Sequence, residues 1–583
     1  MAHSHRAAAS HDNRSLMAFT TAMTVPARPT TLSTSSTAQV SPRRLHGRTA
    51  PNRRATRPPV ATSTAVNPSP SPFPPPTAST LICTSLTATT VSAQLAQMSA
   101  AKAAGADLAE IRIDLLDLAE QPNWPSIFTG RELPVIVTNR ASWEGGNAPD
   151  DEDARLGMLA HAVSLGVPFV DVELKAAPRF QHILDERGIE MMGTKLILSH
   201  HNFHRHLEPG EVEEVQRGMK EAGADVHKIA MMATSAMHNA LVFDTLIGAQ
   251  VPTIMLAMGE LGQLSRLAAP RFGAFLTFAS VAAGEESALG QVDADTLNQL
   301  YRFRSIGVDT PMYGVIGNPV SHSASPAVHN AALSVTGKEG VYFPLKVDAE
   351  VPHFIREMAA RGFAGFSVTI PGKLVAMEAM DKIDDVARRI GAINTVVKKE
   401  DGTLEGYNTD WVAALSAVEE KVEGGMQRKR VLCIGAGGAG RGLAFGALER
   451  GARHVVVANR TKAKAEALAA DLGALASGIG LDEMVDEEEF DVIMNTTSVG
   501  MSPRVEDSPV DKRLFRKGMV VFDAVYNPLE TRMLKEATAA GCVTVSGLEM
   551  FVRQAGEQFK LWFPDVEAPV GAMREVVLKR LGR

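Results

Sequence analysis

The chain has 583 residues, of which 45% are hydrophobic and 21% charged, with a formal net charge of -7. That length exceeds what one hydrophobic core usually organises and predicts two or three domains. The charge offers no basic field for nucleic acid, no apolar run is long enough to span a bilayer, and the expected partners are small molecules. Three widely spaced cysteines, Cys83, Cys433 and Cys542, predict neither a disulfide framework nor a zinc site, so no metal is expected.

The first 80 residues are rich in Ser, Thr, Ala and Pro, with nine arginines, no lysine and Asp12 as the only acid. Such a segment buries too little apolar surface to fold alone. Residues 1–79 therefore read as a disordered transit peptide, and the Ser/Thr bias leans toward the chloroplast.

Eight short apolar runs follow: ICTSL, LAEIRID, PVIVTNR, FVDVEL, KLILSHHN, DVHKIA, VPTIMLAM and GAFLTFAS. Segments of helical periodicity, such as SAQLAQMSAAKAAG and GEVEEVQRGMKEAG, lie between them. Strand then helix, repeated eight times, predicts a (β/α)8 TIM barrel over residues 80–306. Glu110, Arg112, Asp114, Arg140, Glu173, His201 and Lys228 fall at or near strand ends, where such barrels gather their chemistry. Alternation along a strand points Glu110, Arg112 and Asp114 to one face, the lumen. A lysine enclosed there is expected to be neutral, desolvated beside other cations, so that its amine can attack a carbonyl. Lys228 is the candidate, although Val226 and Ile229 do not fix which face it occupies. Of the neighbours His200 and His201, only one can enter the lumen.

LNQLYRFRSIG reads as the closing helix of the barrel, GVDTP as a linker and YGVIG as a new strand, which places a boundary at residues 306 to 311. Further on, RVLCIGAGGAGRGLAFGAL sets Gly435-Ala436-Gly437-Gly438-Ala439-Gly440 between a strand and a helix. Glycines there let the backbone approach a pyrophosphate that faces a helix N-terminus, which predicts a Rossmann unit. The next strand ends in Asn459, Arg460, Thr461 and Lys462 without a carboxylate. A guanidinium at that position grips a 2'-phosphate, so NADP is expected over NAD.

Residues 81 to about 291 resemble the type I 3-dehydroquinate dehydratase family. Its Glu-x-Arg-x-Asp strand matches Glu110-Ile111-Arg112-Ile113-Asp114, its Arg-x-x-x-Glu matches Arg140 to Glu144, and its Ser-x-His-Asn matches Ser199-His200-His201-Asn202. The family's Schiff-base lysine falls on Lys228; MGELGQLSR supplies Arg266 and SALGQ supplies Ser287 and Gln291, with Leu289 where a proline is usual. The resemblance implies that Lys228 condenses with a ring ketone, that His201, oriented by Glu144, removes the adjacent proton, and that Glu110, Arg112, Arg140, Arg266, Ser287 and Gln291 contact substrate.

Residues 311 to about 580 resemble shikimate dehydrogenase: Ser323 and Ser325 in GNPVSHSASP, Thr369 and Lys373 in GFSVTIPGK, Asn394 in GAINT, Asn408 and Asp410 in GYNTD, Thr497 in NTTSVGM, Tyr526 in DAVYNP and Gln554 in GLEMFVRQAGEQF. The resemblance implies a substrate-binding lobe over 311–412, a Rossmann lobe over 413–547 and returning helices over 548–583. It further implies Lys373 and Asp410 as the catalytic pair, the serines, Thr369, Asn394, Tyr526 and Gln554 as substrate contacts, and the glycine loop, Asn459, Arg460, Thr461 and Thr497 as cofactor contacts. Two departures are Ser367 in place of an asparagine, and Gly372, which is expected to loosen the loop bearing Lys373. The implied function is dehydration of 3-dehydroquinate to 3-dehydroshikimate and its reduction to shikimate with NADPH in the plastid stroma. Rivals are a quinate dehydrogenase on the same scaffold and a non-catalytic metabolite sensor; the retained serines, Thr369 and both lysines argue against them.

Overall fold

The computed structural model describes residues 80–486 and 489–582; the transit peptide expected over residues 1–79 lies outside them. The eight apolar runs form β1 (Leu81–Leu86), β2 (Leu108–Arg112), β3 (Val135–Thr138), β4 (Phe169–Glu173), β5 (Lys195–Asn202), β6 (Val226–Met232), β7 (Thr253–Met258) and β8 (Leu276–Ala279). All neighbours run parallel in the order β7-β6-β5-β4-β3-β2-β1-β8, a ring closed except between β7 and β8. Each strand is covered on both faces, by lumen and by helices, so VIVT and TIMLAM read as continuous apolar, whereas LAEIR and FVDVE alternate because their acids face the lumen. Cys83, Leu108, Ile136, Phe169, Ile197 and Ile254 fill the floor of the lumen, and polar side chains occupy the space above.

The helices obey local capping rules where they are long. Thr90 caps Val91–Ala103, Asp151 caps Glu152–Ser164, and Glu208 with Glu211 forms a capping box on Pro209–Glu221. After β2 and β7 the helices shrink to Pro125–Thr129 and Gln263–Leu267, the second followed closely by Pro270, which cannot extend it. The expected closing helix is two pieces, Ala294–Gln299 and the single turn Phe303–Ser305, because Arg302 between them takes a left-handed φ of 50°.

The second half holds two sheets. The first comprises β9 (Met312–Gly317), β10 (Val341–Lys346), β11 (Phe363–Val368), β12 (Lys382–Ile383), β13 (Thr395–Lys398) and β14 (Leu404–Tyr407), in the order β10-β9-β11-β13-β14-β12. Strand β13 runs antiparallel to both of its neighbours. The second comprises β15 (Arg430–Ile434), β16 (His454–Ala458), β17 (Ala476–Ile479), β18 (Val492–Asn495), β19 (Val520–Asp523) and β20 (Val543–Val545). Its all-parallel order β17-β16-β15-β18-β19-β20 is that of a doubly wound dinucleotide fold, whose switch point lies between β15 and β18.

The helix Gly547–Trp562 carries the chain back to the first of these sheets, where Trp562 Nε1 donates to the Val396 carbonyl at 3.0 Å. Phe559, Val552, Val328 and Leu333 pack where it meets Ser325–Thr336 and Val570–Arg580. The barrel and the second half share a continuous apolar core in which Tyr301 packs on Phe343, and Arg361 forks onto Asp244 at 2.9 and 2.7 Å. Because Phe559 is 1% exposed at the point where three helices meet, Phe559→Ala is expected to cost about 3–5 kcal/mol. Urea unfolding followed through the dehydrogenase half checks this as a lowered midpoint.

Candidate active sites

In the barrel, Lys228 occupies the middle of β6 rather than its end, and it points into the lumen at 5% exposure. Its Nζ donates to Asp171 Oδ2 at 2.7 Å and Glu110 Oε1 at 3.3 Å, and lies 4.4 Å from the Phe278 ring centroid. The expectation of a lysine surrounded by cations is therefore corrected: two carboxylates contact the amine, because β2 and β4 bring Glu110 and Asp171 to its level. Glu110 is fixed by hydrogen bonds from Ser85 Oγ and Thr138 Oγ1, at 2.6 and 2.9 Å.

Arg140 is the hub of this layer. Its guanidinium reaches Asp171 and Glu173 at 2.9 Å each and Ser199 Oγ at 2.6 Å, and the other Glu173 oxygen is held by Arg155 at 2.8 Å. Burial opposes its charge, yet Asp171 and Glu173 hold Arg140 above its ordinary value; burial likewise opposes ionisation of Asp171, yet Arg140 and Lys228 hold that carboxyl well below its ordinary range. Arg112 forks onto Asp114 at 2.9 and 2.7 Å, and Asp114 also accepts the backbone N–H groups of Arg140 and Asn147, which braces the segment carrying Glu144.

His201 Nδ1 lies 2.8 Å from Glu144 Oε2, while His200 is more exposed and its Nδ1 is 3.9 Å from Glu144 Oε1. Burial, with Arg140 and Lys228, presses His201 well below its ordinary value and so favours the neutral imidazole. Burial, opposed by Arg140 and aided by Glu173 and Asp171, pushes Glu144 up to about 8. Arg266, on the short helix Gln263–Leu267 after β7, differs from Arg112 and Arg140. It is 3% exposed, its Nε has no hydrogen-bond partner, and burial alone lowers it to about 10. Ser287 and Gln291 bond each other, the Gln291 amide donating to Ser287 Oγ at 2.9 Å. Between them Leu289 is exposed, but its carbonyl accepts the Gly259 N–H at 3.1 Å, which ties this loop to the one after β7.

In the second half, Ser323, Ser325, Thr369, Lys373, Asn394, Asp410, Tyr526 and Gln554 all line one cavity of about 190 Å³. Lys373 pairs with Asp410. The side chain of Lys373 runs across Gly438, where an added Cβ would stand 3.1 Å from its Cδ, so the lysine spans from the substrate lobe to the glycine loop. The loosening expected of Gly372 is not observed. Its N–H donates to the Thr369 carbonyl at 2.9 Å, and the Lys373 carbonyl accepts the Ile393 N–H at 2.9 Å, so the turn is closed on both sides. Asn408 sits behind Asp410, accepting its backbone N–H at 3.1 Å and donating to the Ala392 carbonyl at 2.9 Å.

The glycine loop has the geometry a dinucleotide needs. Gly435 takes φ +109°, and a Cβ on Gly440 would stand 2.0 Å from the Gly435 carbonyl oxygen, so strand and helix approach more closely than any side chain permits. The helix Gly438–Glu449, with Ala439 in its first turn, starts at this turn, and Thr497 packs against Gly435. Asn459 Nδ2 donates to the Thr461 carbonyl at 2.9 Å, Lys462 pairs with Glu483, and Arg460 is exposed at the strand end. These residues fit a dinucleotide bearing a 2'-phosphate.

Comparison with known proteins matches residues 82–308 to the type I 3-dehydroquinase model, 315–396 to the shikimate dehydrogenase substrate-binding domain, 416–540 to shikimate/quinate 5-dehydrogenase and 547–578 to the shikimate 5'-dehydrogenase C-terminal domain. The bifunctional 3-dehydroquinate dehydratase/shikimate dehydrogenase, chloroplastic, of Arabidopsis thaliana is 41% identical over 503 residues, covering 84% of this chain and 83% of that protein. The chain belongs to the bifunctional 3-dehydroquinate dehydratase/shikimate dehydrogenase family. Its dehydrogenase half is also 41% identical to the shikimate dehydrogenase (NADP(+)) of Bacillus cereus strain G9842, over 46% of this chain and 99% of that one. Among solved structures, the dehydroquinate dehydratase and shikimate dehydrogenase part of S. pombe AroM is 26% identical, covering 86% of this chain and 98% of that one with a TM-score of 0.39.

Three residues of these clefts escaped the sequence reading. Asp171 lies two positions before Glu173 in FVDVE, so the same alternation that exposes one to the lumen exposes the other. In the dehydrogenase cleft, Tyr342 OH donates to Ser367 Oγ at 2.6 Å, Ser367 donates to Gln558 Oε1 at 2.9 Å, and Gln558 Nε2 donates to the Asn394 carbonyl at 3.0 Å. Gln558 is four residues after Gln554, one helical turn along the same face. Nothing local marks Tyr342, which reaches the cleft through tertiary packing.

Glu144→Gln tests the barrel pair in two ways. A carboxyl raised in the folded state favours folding below its ordinary 4.5 and loses that contribution as pH rises toward about 8. The unsubstituted protein should therefore lose stability relative to Glu144→Gln across that window, and the difference should level off above it, as thermal unfolding against pH will record. The amide can neither take up nor release a proton beside His201 Nδ1, so dehydratase kcat should fall by about 10²–10⁴-fold.

Proposed function

We propose that the two clefts carry out consecutive reactions, dehydration of 3-dehydroquinate in the barrel and reduction of 3-dehydroshikimate to shikimate in the second half. The observation that carries this reading is the placement of Lys228 in an enclosed lumen together with the His201–Glu144 pair; on the short helix after β7, Arg266 adds a buried guanidinium that pairs with no carboxylate among the described residues. Arg266 takes the substrate carboxylate as a bidentate pair, in which its buried, unpartnered Nε gains an acceptor. Lys228 lends a proton to a neighbouring carboxylate and attacks the ring ketone; that proton returns to the hydroxyl of the adduct, which departs as water and leaves an iminium. Asp171 and Glu110, which contact Nζ at 2.7 and 3.3 Å, are placed to pair with that cation. The iminium acidifies the neighbouring C–H, and neutral His201 removes the proton while Glu144 holds Nδ1. The ring hydroxyl then leaves as water by taking a proton from His201, and hydrolysis of the imine restores Lys228. Arg140 and Arg112, engaged by carboxylates, hold this array in place, and Ser287 and Gln291 meet the ring hydroxyls from the loop after β8.

In the second cleft, Ser323 and Ser325 hold the carboxylate and Thr369, Asn394, Tyr526 and Gln554 surround the ring. The glycine loop from Gly435 to Gly440, Asn459, Arg460 and Thr461 at the 2'-phosphate, and Thr497 beside the loop would hold NADPH, which when bound would supply the hydride. Lys373, paired with Asp410, donates to the ketone oxygen as it gains negative charge and delivers the proton that completes the hydroxyl. The chloroplastic relative and the Arg-rich, acid-poor composition of residues 1–79 together support plastid import and work in the stroma.

A coupled assay fed with 3-dehydroquinate and NADPH should yield shikimate; its absence with folded protein would refute the reading. Lys228→Ala should abolish dehydration and leave NADP-dependent oxidation of shikimate intact, and Lys373→Ala should do the reverse. Arg460→Asp should lower the kcat/KM preference for NADP over NAD by at least about tenfold, since it replaces an attraction to phosphate with a repulsion.

A further inference from the structure

Apart from both clefts, a cavity of about 550 Å³ opens where the end of the barrel meets the dehydrogenase half. That volume falls within the roughly 300–1,000 Å³ of ordinary small-molecule sites. Its charged lining is of one sign: Arg302 after the last barrel helix, with Lys579 and Arg580 on the C-terminal helix, and no aspartate or glutamate. Gln299 and Ser334 add neutral hydrogen-bonding groups, and the remaining wall is largely aliphatic.

The three cations differ from their neighbours. Arg304 pairs with Asp107 and Arg574 with Glu549, but among the described residues Arg302, Lys579 and Arg580 form no ion pair. Arg302 makes one hydrogen bond, to the Gly340 carbonyl at 2.8 Å, and its Nε is buried without a partner. It also holds the left-handed φ of 50° that interrupts the closing helix, a conformation that persists in a non-glycine residue when its surroundings impose it and that gathers at ligand clamps. Three like charges converging on one cavity repel each other unless an anion lies between them.

We propose that this cavity is a second ligand site, for a small organic anion carrying two or more negative charges, either a phosphate ester or a polycarboxylate. Arg302 forms its fixed end, tied to the Gly340 carbonyl, and Lys579 and Arg580 reach the anion from exposed positions on the terminal helix. Nothing in the reaction cycle uses the site, so its occupant is neither substrate nor nicotinamide cofactor.

Isothermal titration of the full chain, saturated with NADP⁺ and shikimate at constant ionic strength, against citrate and against glycerol 3-phosphate tests this. Saturable binding of at least one anion with one-to-one stoichiometry is expected, and the tighter of the two identifies the class. The double variant Lys579→Glu, Arg580→Glu should weaken that binding by at least about tenfold, because charge-assisted bonds are replaced by repulsion. Both enzymatic activities should persist in it and report an intact fold. Arg302→Gln should weaken binding in the same sense without altering the terminal helix. Failure of both anions to saturate, unchanged affinity in the double variant, or loss of binding confined to Arg266→Gln would each overturn the proposal.

Discussion

The contact between Lys228 and two buried carboxylates is the constraint around which the barrel is arranged. Removing an ammonium and several carboxylates from water costs on the order of several kcal/mol per ion, and the array is tolerable only if each charge is paired and hydrogen-bonded. The structure meets that condition through a chain of alternating sign, from Lys228 to Asp171, Arg140, Glu173 and Arg155. Two groups stand outside this balance. Arg266 pairs with no anion among the described residues, and the Glu144–His201 pair is pressed toward its uncharged forms. A substrate that brings a carboxylate and needs a proton removed addresses both.

The second cleft solves a different problem with similar parts. Here the lysine and its carboxylate lie between two lobes rather than inside one, and Lys373 is positioned by backbone: the closed turn at Gly372 on one side and the bare Gly438 on the other. A side chain at Gly438 would displace the lysine, and one at Gly440 would part strand from helix. The glycine string therefore shapes both the tight strand-to-helix turn and the path of the Lys373 side chain. The returning helix Gly547–Trp562 completes the pocket by bringing Gln554 and Gln558 across from the far end of the chain.

Much of this was legible in the sequence because the relevant signals are periodic and short-range. Eight apolar runs gave eight barrel strands, the period of two put Glu110 in the lumen, and the glycine string fell between a strand and a helix as its spacing required. What escaped depended on long-range placement. The face occupied by Lys228 could not be read from its flanks, and its carboxylate partners come from strands 57 and 118 residues away. Arg140 and Arg112 resemble substrate clamps in a motif but are engaged by acids in space, whereas Arg266 is distinguished only by the absence of such neighbours. The break in the closing helix at Arg302 had no composition signal either, since no glycine or proline marks it.

The central claim, that the lumen amine of Lys228 forms a covalent imine with a ring ketone, is tested most directly by borohydride reduction of the protein in the presence of 3-dehydroquinate followed by peptide mass mapping. The account predicts a single reduced adduct on the peptide containing Lys228, absent when substrate is omitted. An adduct on another lysine, or none at all in protein that still dehydrates the substrate, would contradict it.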